Sequence, residues 1–239
     1  MRVEGKGQID RTKPVRFRFD GREYSGYKGD TLASALLAND VRLVGRSFKY
    51  HRPRGILTAG SEEPNALVEV VGPKNKTPNV RATMQEVFEG LETQSQNRLG
   101  TLRFDLLAVN DYLSPFLSAG FYYKTFMWPR AFWEKLYEPL IRRAAGLGSL
   151  SGKHDEGAYE KAFAFCDVLV IGSGPAGLMA ALTAGRAGAD VILAEESHAL
   201  GGRLLSDGGM IGGQTSVDWV AATVAELQSM PNVRIMLRT

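Results

Sequence analysis

The run Asp167-Val-Leu-Val-Ile-Gly172-Ser-Gly174-Pro-Ala-Gly177, answered by a second apolar run that ends at Glu195, constrains this 239-residue chain more than any other feature. Residues 168–171 are apolar and rich in β-branched side chains, which predicts a parallel strand buried on both faces. Gly172 permits a tight turn, Gly174 lets the backbone approach a pyrophosphate, and Gly177 lets the next helix pack closely on the strand. Pro175 suits a first helical turn. The helix is expected to reach about Ala187, its unpaired amides and positive dipole end facing the place where an anion would sit. Gly188-Ala-Asp190 breaks it, and 191–193 supply a second strand. Glu195 ends that strand 23 residues beyond Gly172, where this fold puts the acceptor for both ribose hydroxyls of an adenosine. Strand, turn, helix, strand and acid in this order read as a dinucleotide site.

The fingerprint recognises ADP, which NAD and FAD share, so both stay open. Glu195 and Glu196 would repel a 2′-phosphate and disfavour NADP unless Arg203 neutralises it. Gly201-Gly202-Arg203-Leu204 follows; its glycines permit close approach and Arg203 offers a planar cation for phosphate or ribose oxygens. The candidate cofactor-binding residues are therefore Gly172, Ser173, Gly174, Pro175, Ala176, Gly177, Glu195, Glu196, Gly201, Gly202, Arg203 and Leu204.

With 44% hydrophobic residues the chain can bury a real core. No apolar run approaches the roughly 18 residues of a membrane span, and Met1-Arg-Val-Glu-Gly-Lys-Gly lacks a signal peptide's apolar segment, so a cytoplasmic protein with no membrane partner is expected. The single cysteine, Cys166, allows neither an internal disulfide nor a thiolate cage for a metal or iron–sulfur cluster. Three scattered histidines give no metal-ligand spacing. His51 stands in a basic loop beside Arg52 and Arg54, where a proton is disfavoured, and His154 and His198 read as surface residues. Residues 1–54 hold thirteen Lys or Arg against six Asp or Glu. Without a nucleic-acid motif around them, these charges fit a subunit interface or a neighbouring domain better than nucleic acid.

An irregular stretch at 146–157 separates the dinucleotide segment from what precedes it. There, Val15, Phe17 and Phe19 alternate with Arg16 and Arg18 before an Asp20-Gly21 turn, which predicts a β-hairpin. Asp30 or Thr31 can cap a helix whose Leu32, Ala35 and Leu36 face a core and which ends near Asn39. Further strands are expected at 41–44, 66–71, 80–83 and around 84–88. This order resembles the β-grasp fold of plant-type ferredoxins. The aromatic run 116–137, interrupted by Lys124, Arg130, Glu134 and Lys135 and cut by prolines, is expected to pack in a core. Near the C-terminus, Ser216 is expected to cap a helix through about Gln228, with a strand beginning at Val233 that Thr239 cuts off. The fold class is thus α+β then α/β: a ferredoxin-like domain over 1–100, an aromatic connecting segment over 101–165, and an incomplete Rossmann-type FAD/NAD-binding domain over 166–239.

Four runs carry a resemblance: Ser47-Phe-Lys-Tyr-His-Arg-Pro-Arg-Gly-Ile56, Glu62-Glu-Pro-Asn-Ala-Leu-Val-Glu69, Asn79-Val-Arg-Ala-Thr83 and Ala119-Gly-Phe-Tyr-Tyr-Lys-Thr-Phe-Met-Trp-Pro129. With them the chain resembles, over nearly its whole length, the α subunits of heterotetrameric sarcosine oxidases. Relatives such as hydrogen cyanide synthase and amino-acid dehydrogenase subunits carry a cysteine-bound [2Fe-2S] cluster after Pro-Arg-Gly, where this chain has Leu57-Thr-Ala-Gly-Ser-Glu-Glu-Pro-Asn-Ala66. The resemblance implies an oxidoreductase subunit that binds NAD at the glycine fingerprint, in a complex with β, γ and δ subunits. FAD would then sit in the β subunit and FMN at the α/β interface. That complex would demethylate sarcosine to glycine, formaldehyde or methylene-tetrahydrofolate, and hydrogen peroxide, a step of one-carbon metabolism. The tetrahydrofolate-binding part would lie beyond residue 239, and no catalytic residue or covalent flavin attachment maps onto this chain. The alternative is an FAD-dependent oxidoreductase, or an amino-acid dehydrogenase subunit, binding FAD at the same fingerprint.

Overall fold

The computed structural model describes residues 2–3, 9–124, 126–154 and 159–239, and gives no side-chain description at 122 and 123. Parts of the N-terminal segment read for a signal peptide, Thr125 of the aromatic run and the end of the irregular stretch lie outside the described residues. The chain forms two compact units, Met1–Glu156 and Gly157–Thr239.

In the first unit, β1 (Asp10–Phe19) and β2 (Arg22–Lys28) form the expected hairpin, pairing Phe19 with Arg22 across a turn in which Asp20 and Gly21 take φ of 49° and 76°. That two-residue turn with both φ positive matches the twist of the strands it joins. Helix α1 (Leu32–Ala38) is capped by Thr31, whose Oγ1 accepts the Ser34 amide at 3.2 Å, and it lays Leu32, Ala35 and Leu36 fully buried against the sheet. The sheet continues with β3 (Leu67–Val71), β4 (Lys76–Arg81) and β5 (Leu91–Ser95) in the order β2-β1-β5-β3-β4, with β1 and β5 parallel. Phe17, Phe19, Leu36, Val44, Val68, Val87 and Leu91 share its core.

Three strand expectations need correction here. Residues 41–44 are not a strand; Val44 is buried and donates to the Arg54 carbonyl at 3.0 Å. Residues 84–88 make only an isolated bridge between Glu86 and Thr31, and the strand expected at 80–83 starts earlier and stops at Arg81. The central strand β5 went unread because its buried face is Leu91, Thr93 and Ser95. The hydroxyls of the last two are satisfied by the Arg18 carbonyl at 2.9 Å and by Asp20 at 2.7 Å.

The aromatic run also differs from expectation. Phe116 and Trp128 are 71% and 83% exposed, and the described rings of 121–137 stack on one another, Phe126 on Phe121 and Tyr137, rather than joining a core. Prolines and short helical turns leave the segment no continuous apolar stripe to bury.

The second unit is a three-stranded parallel sheet in the order β8-β7-β6, made of β6 (Val168–Ile171), β7 (Val191–Glu195) and β8 (Val233–Leu237). Helices α2 (Pro175–Arg186) and α3 (Ser216–Ser229) connect them. Thr215, not Ser216, caps α3: its Oγ1 accepts the Asp218 amide at 3.2 Å, while the Ser216 hydroxyl donates to the Gly209 carbonyl. The expectation of a strand buried on both faces fails for β6, where Leu169 and Ile171 are 56% and 82% exposed. Among the described residues β6 is an edge strand whose second face is uncovered.

Candidate dinucleotide-binding site

The end of β6, the start of α2, the end of β7 and the loop at 200–205 meet at one place. Gly172 takes a φ of +90°, which turns the chain out of the strand. A Cβ on Gly177 would lie 1.9 Å from the Gly172 carbonyl oxygen, so only glycine lets α2 start this close to the turn. A Cβ on Gly174 would meet nothing within 4 Å. The first-turn amides of α2 have no intrahelical acceptor, and with the helix dipole they make this open place attractive to an anion. A Cβ on Gly202 would come within 3.3 Å of the Gly174 Cα, so the Gly201-Gly202 loop packs directly on the turn.

Glu195 is 6% exposed and tied to both sides of the site. Its Oε2 accepts the Ser173 amide at 2.7 Å and the Ser173 hydroxyl at 2.5 Å, and its Oε1 accepts the Ser197 amide at 2.9 Å. Ser173 in turn accepts the Gly201 amide, on its carbonyl at 3.1 Å and its hydroxyl at 3.2 Å. Burial alone would raise the Glu195 carboxyl, but the Ser173 hydroxyl, the Ser197 and Ser173 amides and the Ser197 hydroxyl outweigh it and hold the group below the usual carboxylate range.

The structure therefore brings Gly172, Ser173, Gly174, Pro175, Ala176, Gly177, Glu195, Gly201 and Gly202 together. Three sequence candidates sit differently. Leu204 is 8% exposed and its side chain packs in the core with Leu178, Leu193 and Val220. Glu196 and Arg203 are exposed at the rim. The roles of Ser173 and Ser197 were invisible in the sequence, since the fingerprint tolerates any small residue at the first and nothing marks the second. In this structure both oxygens of Glu195, expected as the ribose acceptor, already carry donors from Ser173 and Ser197.

His51 is a second correction. It lies in the basic loop but is fully buried there at a φ of +53°, with its Nδ1 2.5 Å from the buried Asp105 carboxylate. Around it Arg46 donates to the carbonyls of Leu102 and His51, Tyr50 to that of Leu117, and Arg52 to Asp111 at 2.8 Å. These bonds fasten residues 99–117 to the basic run 46–52 and give its polar side chains internal partners.

Residues 12–98 match a family described as a 2Fe-2S iron-sulfur cluster binding domain, and residues 167–229 match the FAD dependent oxidoreductases. The whole chain is 63% identical to "Sarcosine oxidase subunit alpha" of Rhizobium meliloti (strain 1021), of which it covers 24%, and 97% of it is 35% identical to the protein of the same name in Corynebacterium sp. (strain P-1), of which it covers 19%. The chain thus spans about a quarter or less of the length of these relatives. Its fold is similar to that of L-proline dehydrogenase from P. horikoshii, with a TM-score of 0.52 and 23% identity over 99% of this chain and 34% of that one. The likeness runs from end to end of this chain, with both family matches along it, so the chain is homologous to the N-terminal part of proteins named sarcosine oxidase subunit alpha.

Proposed function

We propose that this chain is the dinucleotide-carrying part of an oxidoreductase subunit, and that it holds the ADP half of NAD at the turn between β6 and α2. The pyrophosphate lies over Gly174 at the first turn of α2, the adenosine ribose meets Glu195, and Arg203 serves the phosphates from the rim. The observation that carries the reading is the buried Glu195 carboxylate beside a glycine turn with open space at Gly174. Oxidation of sarcosine belongs, in this reading, to a flavin in a partner subunit, and the chain's own residues bind and orient without performing the amine chemistry. The assembly is a heterotetramer with β, γ and δ subunits, and the uncovered face of β6 and the exposed aromatics of the first unit are buried within it. Among the described residues no helix is long and apolar enough to cross a membrane.

FAD at the same fingerprint is the second reading, favoured by the family description of residues 167–229. The two separate on one measurement. The full-length α subunit, purified and denatured, should release NAD that is identified by chromatography; stoichiometric FAD from the α subunit alone would replace the first reading with the second.

A further inference from the structure

The cluster-binding family matched by residues 12–98 implies a group that these residues cannot hold. A [2Fe-2S] cluster needs about four ligands, most often thiolates. The chain's one cysteine, Cys166, lies outside the matched stretch, and among the described residues no group of three His, Cys, Asp or Glu is placed to hold a metal ion.

The same stretch nonetheless contains a built anion site. Glu63 is 1% exposed, and its carboxylate is ringed by donors from one loop. Oε2 accepts the amides of Leu57 at 2.8 Å and Thr58 at 2.7 Å with the Thr58 hydroxyl at 3.3 Å, and Oε1 accepts those of Asn65 at 2.8 Å and Ala66 at 3.1 Å. Four main-chain N–H groups therefore converge on one negative charge. The loop is fixed on its far side by the Thr83 hydroxyl, which donates to the Gly60 carbonyl at 2.6 Å. Converging main-chain amides of this kind form the concavities in which phosphates and iron–sulfur clusters sit. Burial acts to raise the Glu63 carboxyl, yet the amides of Thr58, Asn65, Leu57 and Ala66 together hold it below the usual range, so the bound species is the anion.

We infer that the loop 57–66 is an anion nest filled by the chain's own Glu63 carboxylate, and that this internal anion locks the ferredoxin-type unit in a form that neither needs nor accepts an iron–sulfur cluster. The side chain does the electrostatic work of a bound anion and supplies no redox centre.

Three measurements on the full-length α subunit test this. Glu63→Gln puts an NH2 donor among amide donors, and hydrogen exchange of the peptide covering 57–66 should accelerate on the order of ten- to a hundredfold. Glu63→Ala should accelerate it similarly, and sodium formate, whose carboxylate fits the vacated nest, should slow it again in a saturable way that sodium gluconate does not reproduce. Anaerobic incubation of the wild type with ferric iron and sulfide, followed by desalting, should leave no stoichiometric cluster absorption or iron on the chain. Unchanged exchange in Glu63→Gln, no formate effect in Glu63→Ala, or a cluster taken up at one per chain would each overturn the inference.

Discussion

Glu63 in the first unit and Glu195 in the second are both carboxylates buried inside a loop, and the two are held in different ways. Glu63 is surrounded by four main-chain amides and one hydroxyl, whereas Glu195 is held by two amides together with the hydroxyls of Ser173 and Ser197. Main-chain donors are fixed by the fold and have no other acceptor to turn to. A serine hydroxyl both accepts and donates, and the buried Ser173 hydroxyl does both, donating to Glu195 while it accepts the Gly201 amide. The same residue type, similarly buried, is thus enclosed by main-chain donors in one unit and partly by side-chain hydroxyls in the other, the arrangement on which the proposed ribose acceptor rests.

The largest expected effect concerns the frame of the second carboxylate. Gly177→Ala places a methyl against the Gly172 carbonyl and should destabilise the second unit by about 3 kcal/mol or more, read as loss of cooperative unfolding by circular dichroism. If the variant unfolds like the wild type, the close approach of α2 to the turn is not what shapes the site.

Glu63→Gln should follow at roughly 2–4 kcal/mol in the first unit, since at least one buried amide loses its acceptor and faces a donor. Its dinucleotide content should stay at the wild-type level. Gly174→Val acts in the opposite sense, because the added side chain enters open space: secondary structure should survive while bound dinucleotide falls at least about tenfold, a loss on the order of 1.4 kcal/mol. Normal nucleotide content by chromatography would remove the turn from the site.

Glu195→Gln should weaken dinucleotide retention by about 1–2 kcal/mol, the worth of a charge-assisted hydrogen bond. Ser173→Ala is the smallest effect and the sharpest separator of the two carboxylates. If its hydroxyl is exchanged for a ribose hydroxyl, retention should change less than about threefold, under 1 kcal/mol; a loss as large as that of Glu195→Gln would make Ser173 a fixed donor and erase the contrast.

Acidity tests both carboxylates together. Each is held below its ordinary value in the folded chain, so the unfolded chain takes up protons first and stability falls with pH. The contribution is complete above about pH 5 and is lost progressively below the ordinary carboxyl value of about 4.3. Acid-unfolding curves should flatten in Glu63→Gln and in Glu195→Gln, each in its own unit.

The hairpin, α1 and the strand–turn–helix of the second unit were legible in the sequence because period and turn chemistry announce them locally: Val15, Phe17 and Phe19 alternate, and Asp20-Gly21 closes the turn. The central strand β5 was hidden because its inward residues Thr93 and Ser95 are polar and find their partners about 75 positions away in β1 and its turn. His51 misled for a similar reason, since Asp105 lies 54 residues on and nothing in either neighbourhood points to the other. Glu63 reads as one more surface acid. What makes it special is the path of the backbone around it, which carries no residue-type signature.

A loop that closes on its own carboxylate also changes how the protein is made. Where a small domain is completed by a metal group, its folding free energy arrives with the metal, and the chain waits on supply and insertion. On the inference drawn above, the nest at Glu63 is complete as soon as the chain collapses, and the maturation of this unit then waits neither on iron supply nor on protection from oxidants that dismantle a sulfide-bridged centre.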